Sequence, residues 1–151
     1  MRGRTILAAT LIAGTLDMAS AIVLTLFAGK SVVGMLQRVA SGPLGAWPLA
    51  NGQAGATAGF AVHYALMTVM AAAFVGVAGA LPRFRERQLL YGAAYGVLLY
   101  LIMYWIVVPL RWPTAGAASG GVTGILIPLV VHICLVGVPI ALVTARARRT
   151  A

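Results

Sequence analysis

Four long apolar runs, at residues 6–28, 55–81, 89–110 and 122–144, alternate with short stretches that hold all of the arginine and lysine. A helix that crosses a hydrocarbon core of about 30 Å needs about 20 apolar residues, and every run meets that length. The pattern predicts an all-α polytopic membrane protein, a four-transmembrane-helix up-down bundle formed by residues 1–151 as a single domain. The first run also invites a signal-peptide reading, because Arg2 and Arg4 precede it and Ala19-Ser20-Ala21 has the small residues of a cleavage site. However, the run continues past that site through Ile22, Leu24 and Leu26, to about 23 residues, where a signal h-region has about 7 to 15. It therefore reads as the first spanning helix. The second run would extend about 40 Å as a helix and must tilt or protrude.

Between the first two runs, residues 29–54 are too polar to cross, with Lys30, Arg38, Pro43, Pro48 and several glycines. Val32, Met35, Leu36 and Val39 recur at helical spacing, which predicts a short amphipathic outer helix over residues 31–40, ended by Ser41-Gly42-Pro43. Such a helix serves either as a lid over the mouth of the bundle or as a connector resting its apolar face in the lipid headgroups. The connector is the simpler expectation.

Charge sets the orientation. Arg2, Arg4, Arg83, Arg85, Arg87, Arg146, Arg148 and Arg149 fall on one side of the predicted spans, and Lys30, Arg38 and Arg111 on the other. Arginine resists translocation, so the larger set marks the cytoplasmic side and both termini belong there. Trp105, Pro109, Trp112 and Pro113 close the third run on the opposite side, where tryptophan fits an interfacial belt. A mean hydropathy of +0.99 with 9% charged residues excludes a soluble domain of this size. The net charge of +9 follows from the cytoplasmic arginines, so no nucleic-acid partner is expected and the lipid bilayer is the partner implied. With one cysteine, Cys134, the chain has no internal disulfide and no CxxC spacing.

Helices in lipid associate by close backbone approach, for which small residues four apart are the signal. Gly55 and Gly59 form one such pair and Gly92 and Gly96 another, and these faces also offer a route to a homo-oligomer. On the first span, Ala13, Gly14 and Ala21 share a face with Thr10, Asp17 and Ser20, which should point inward. Asp17 lies near the midplane, where a carboxyl is costly and faces protein or water. His132 shares that depth, and His63 lies about 5 Å shallower by helical rise. Gly92, Gly96, Tyr100 and Tyr104 form a stripe on the third span. Pro128 and Pro139 free the carbonyls of Gly124 and Leu135 near His132, and these need partners in lipid. The set predicts a polar cavity lined by Asp17, His63, Tyr100, Tyr104 and His132. Val62-His63 and Val131-His132 also begin a shared V-H-x-x-L pattern, as two related hairpins would.

The histidine early in the second span, Tyr91-Gly92 through Val108-Pro109-Leu110 on the third and Val131-His132 on the fourth resemble the YagU-like small inner-membrane proteins of bacteria. The resemblance implies four helices and a bacterial inner-membrane location, and no catalytic residues. Three classes of function remain. The first is a buried polar site that moves or senses protons, ions or a small ligand, with Asp17 as its charge and the histidines as relays. The second is a b-type haem or other metal held by His63 and His132, with Arg38 and Arg111 as the nearest cations for propionates. The third is a structural or partner-binding subunit. No nucleophile triad, phosphate-binding glycine loop or H-E-x-x-H motif is present, so enzyme activity is not indicated.

Overall fold

The computed structural model describes residues 2–113 and 120–149, and every regular element among them is helical. Residues 114–121, the run of small residues between the third and fourth apolar runs, fall mostly outside the described residues. Helix α1 spans Arg2–Phe27, α2 Val32–Leu44, α3 Trp47–Ala50 and α4 Gly52–Val77. Helix α5 spans Gln88–Arg111 and α6 Gly121–Ala147. Four of these, α1, α4, α5 and α6, are long and apolar enough to cross a membrane, with lengths of 24 to 27 residues. Their outward faces carry a continuous apolar surface, including Leu11, Val23, Phe60, Val69, Leu98 and Ile106, that lipid would cover.

Helix α1 packs against α4 and α6, and α5 against α6. The buried core is rich in small residues, with Ala9, Ala13, Ala71, Ala78, Ala141 and Ala145 around Phe74, Val136 and Ile140. Small side chains let the helix backbones approach, and dispersion then holds them where lipid removes the hydrophobic drive between helices. Gly92 and Gly96 on α5 lie against Gly137, Val138 and the His132-Ile133 backbone of α6, with no space for a Cβ at either position. Between α4 and α5 the link is aromatic: the Phe74 and Tyr95 rings meet tilted with centroids 4.9 Å apart, and the Tyr95 hydroxyl donates to the Met70 carbonyl at 2.8 Å.

Residues 78–87 turn the chain between α4 and α5, so the second apolar run ends at Val77 as a helix, not at Leu81. Arg83 takes a positive φ of 49° there. Phe84, in the middle of the arginine block, is buried against Phe74 at 5.7 Å and anchors the turn to the core. The Arg85 guanidinium donates to the Arg148 carbonyl, tying this turn to the end of α6.

Helix α2 departs from expectation in two ways. It begins as predicted, with the Ser31 hydroxyl accepting from the Gly34 amide at 3.2 Å as an N-cap. It then runs through Ser41-Gly42-Pro43 to Leu44 and stops at Gly45, whose φ of 69° favours glycine. The Arg111 Nε–H donates to the Ser41 and Gly42 carbonyls at 3.1 and 3.2 Å, so a cation from the end of α5 satisfies carbonyls that the helix end leaves open. The second departure is that α2 is no mere connector. It lies along α4, where Gly59 meets the Leu36 backbone and Gly55 the Pro48 backbone, both too closely for any side chain. The Gln37 amide donates to the Gly52 carbonyl at 2.9 Å and fixes the register. Gly55 and Gly59 therefore receive α2 and α3.

Two π-helical turns interrupt the apolar helices, at Ile102–Val107 in α5 and His132–Gly137 in α6. Each precedes a Val-Pro pair, Val108-Pro109 and Val138-Pro139. Proline lacks the N–H for the carbonyl four residues back and its ring collides with that carbonyl, so a widened turn relieves both. In each case the valine amide reaches five residues back, to the Met103 and Ile133 carbonyls.

Candidate functional site

On α1, Ala9, Thr10, Ala13, Gly14 and Met18 are buried, so the face carrying Asp17 turns toward the other helices. Gly14 allows Tyr64 and Met67 of α4 to approach α1 closely. That approach sets His63 beside Asp17, with Nδ1 3.9 Å from Oδ2 and side chains 12% and 21% exposed respectively. The other ring nitrogen of His63, Nε2, bonds the Gly14 carbonyl at 2.9 Å. A carbonyl only accepts, so Nε2 carries the proton and Nδ1 is left facing the carboxyl. One residue further along each helix, the Thr15 and Tyr64 hydroxyls bond at 2.9 Å, a second polar tie between α1 and α4.

His132 stands where the π-turn of α6 begins. Its Nδ1 donates to the Pro128 carbonyl at 2.9 Å, which fixes the ring, and among the described residues Nε2 has no hydrogen-bond partner. Tyr104 meets the His132 ring edge-on at 5.6 Å and stacks on Tyr100 at 5.3 Å. Asp17 lies within electrostatic reach of both histidines. In a low-dielectric interior such charges interact strongly, so a proton or cation arriving at one of these groups is felt by the others.

A cavity of about 310 Å³ joins these groups. Asp17 from α1, His63 from α4, Tyr104 from α5 and His132 from α6 line it, and Met35 and Val39 of α2 close one side. Four of the five residues singled out from sequence thus share one cavity. Tyr100, the fifth, is 3% exposed and stands behind Tyr104, outside the lining. Its buried hydroxyl has no hydrogen-bond partner, and neither has that of Thr10. The expected echo between the two histidines does not extend to their settings. His63 sits inside a regular helix facing Asp17, whereas His132 opens a π-turn and faces Tyr104.

Sequence reasoning missed the carbonyl partners that orient each imidazole, Gly14 and Pro128, and the methionines of the lining. The i−4 position of Pro128 relative to His132 was a readable signal, since a side chain in a helix leans back over that turn. The spacing of His63, Met67 and Met70 on one face of α4 was another. For a bis-His haem the His63 ring is poorly disposed: Nε2 is bound to Gly14, and an iron on Nδ1 would stand against the Asp17 carboxyl.

No family model, curated protein or solved structure matches the chain. The four apolar helices are compatible with a membrane protein by length and composition.

Proposed function

We propose that this chain is a polytopic protein of a bacterial inner membrane, akin to the YagU-like proteins, in which an up-down four-helix bundle holds a buried polar site for a proton, ion or small ligand. Both termini and the arginine turn lie in the cytoplasm, α2 covers the outer end of the site, and Asp17 supplies its charge, with His63 and His132 as relays. The observation that carries the reading is that α1, α4, α5 and α6 each contribute a titratable side chain, Asp17, His63, Tyr104 and His132, to a single cavity. A carboxyl held at that depth costs a few kcal/mol, a cost that a purely structural bundle has no reason to bear. The arginine distribution supports the orientation.

Cysteine accessibility in a Cys134→Ser background tests the reading. Ser20 lines the cavity, whereas Leu16, at similar depth, is 41% exposed on the lipid side. Ser20→Cys should react with a small charged thiol reagent added from the outer face, and Leu16→Cys should not. A Ser20→Cys variant as inert as Leu16→Cys would show a sealed core and end the reading.

A further inference from the structure

The chain has six methionines, and five of them, Met18, Met35, Met67, Met70 and Met103, line the cavity that holds the two histidines. They come from α1, α2, α4 and α5, so the concentration is made by the fold and is not a run in the sequence. Methionine is a common filler of irregular gaps in cores, and filling alone would scatter it through the whole interior. Met67 and Met70 also reach the packed core, whose other members are alanine, phenylalanine, leucine, valine and isoleucine. A cavity with five methionines and an imidazole among its lining residues has soft, neutral donors within it.

One of the two histidines is oriented as a metal-binding histidine is. Such a residue donates one ring N–H to a carbonyl or carboxylate and presents the other nitrogen as a lone pair. His132 does this, with Nδ1 on the Pro128 carbonyl and Nε2 without a hydrogen-bond partner among the described residues. Asp17, on the same cavity wall, offers one negative charge against a monovalent cation, an arrangement that low-dielectric surroundings favour. Among the described residues no cluster of three or more histidine, cysteine, aspartate or glutamate side chains is present, so hard divalent ions lack a donor set here.

Resting on the polar-site reading above, we propose that the ligand of this cavity is a soft monovalent cation, Cu(I), held by His132 Nε2 and methionine thioethers, with the Asp17 carboxylate balancing its charge. Thioether and imidazole together select Cu(I) over Mg²⁺, Ca²⁺ or Mn²⁺. Cys134 is exposed and outside the lining, so it takes no part.

The test uses the full chain with Cys134→Ser in detergent or nanodiscs under argon, titrated with tetrakis(acetonitrile)copper(I) against a chromogenic Cu(I) chelator. The protein should retain about one Cu(I) per chain, and X-ray absorption should show a mixed sulfur and nitrogen shell. Met70→Leu, Met103→Leu and His132→Gln should each weaken retention by about tenfold or more, while Met→Leu conserves volume and leaves the fold intact. Surrender of all copper to an equimolar chelator, or wild-type affinity in all three variants, would overturn the proposal. The Ser20→Cys labelling separates the two readings. A reactive Ser20→Cys in a protein that retains no copper removes Cu(I) and leaves the polar site, whereas an unreactive one removes both.

Discussion

Replacing Gly96 by alanine adds one methyl group and should weaken the contact between α5 and α6 more than its size suggests. The new Cβ would lie inside the contact distance of the His132 carbonyl oxygen and the Ile133 Cα. Both are backbone atoms of a helix, so neither can rotate aside, and relief requires the two helices to separate. Overpacking a well-filled interior typically costs about 1–3 kcal/mol, and a backbone obstacle places Gly96→Ala toward the upper end. The internal control is Gly76→Ala on α4, where no atom lies within 4 Å of the added methyl. There the exchange removes glycine's conformational penalty and should be neutral or stabilise by up to about 0.5–1 kcal/mol. Unfolding in mixed micelles of rising SDS fraction, followed by circular dichroism, should move the midpoint down for Gly96→Ala and leave it level or raise it for Gly76→Ala. A Gly96→Ala protein that unfolds with the wild type would refute close backbone packing as the basis of this contact.

Three further outcomes follow from the same contacts. Arg111→Gln removes the charged cap on the Ser41 and Gly42 carbonyls, and because Arg111 is exposed the loss should be about 0.5–1 kcal/mol, visible as faster amide exchange confined to residues 36–44. Tyr95→Phe deletes the hydrogen bond to Met70 and should lower stability by about 0.5–1.5 kcal/mol with the fold unchanged, as the same SDS titration would read. Cysteine labelling should find positions 30 and 119 on the outer side and positions near Arg85 and Arg149 inside, and a cytoplasmic position 119 would reverse the map.

The long helices were legible because lipid leaves a spanning segment no alternative to helix, so apolar length alone announces it. Their interruptions were not. Pro109 and Pro139 marked the places, but whether a proline bends a helix, leaves a carbonyl open or is absorbed by a wider turn depends on the neighbour packed beside it. The end of α2 was misplaced for a similar reason. Ser41-Gly42-Pro43 is a local stop signal, and it is outweighed by Arg111, some 70 residues later, supplying what those carbonyls lacked. Gly55 and Gly59 announced a close approach without naming the partner, which proved to be the backbone of α2 and α3. Asp17, His63, Tyr104 and His132 could be singled out because ionisable and phenolic groups at depth are few. Their division into an Asp17–His63 pair and a Tyr104–His132 pair depends on helix rotation, which spacing does not specify.

Asp17 and His63 meet inside the packed helices, and the sequence offers a clean way to measure that contact. Asp17 is the chain's one aspartate, so ¹³C labelling of the aspartate carboxyl gives a unique signal, and ¹⁵N labelling of the histidine rings adds only two residues. Rotational-echo double-resonance NMR of the protein in lipid bilayers should show the carboxyl carbon dephased by an imidazole nitrogen at about 4–5 Å, consistent with the 3.9 Å between Oδ2 and Nδ1. His63→Gln should abolish most of that dephasing. A carboxyl carbon with no coupling to either histidine ring would contradict the site.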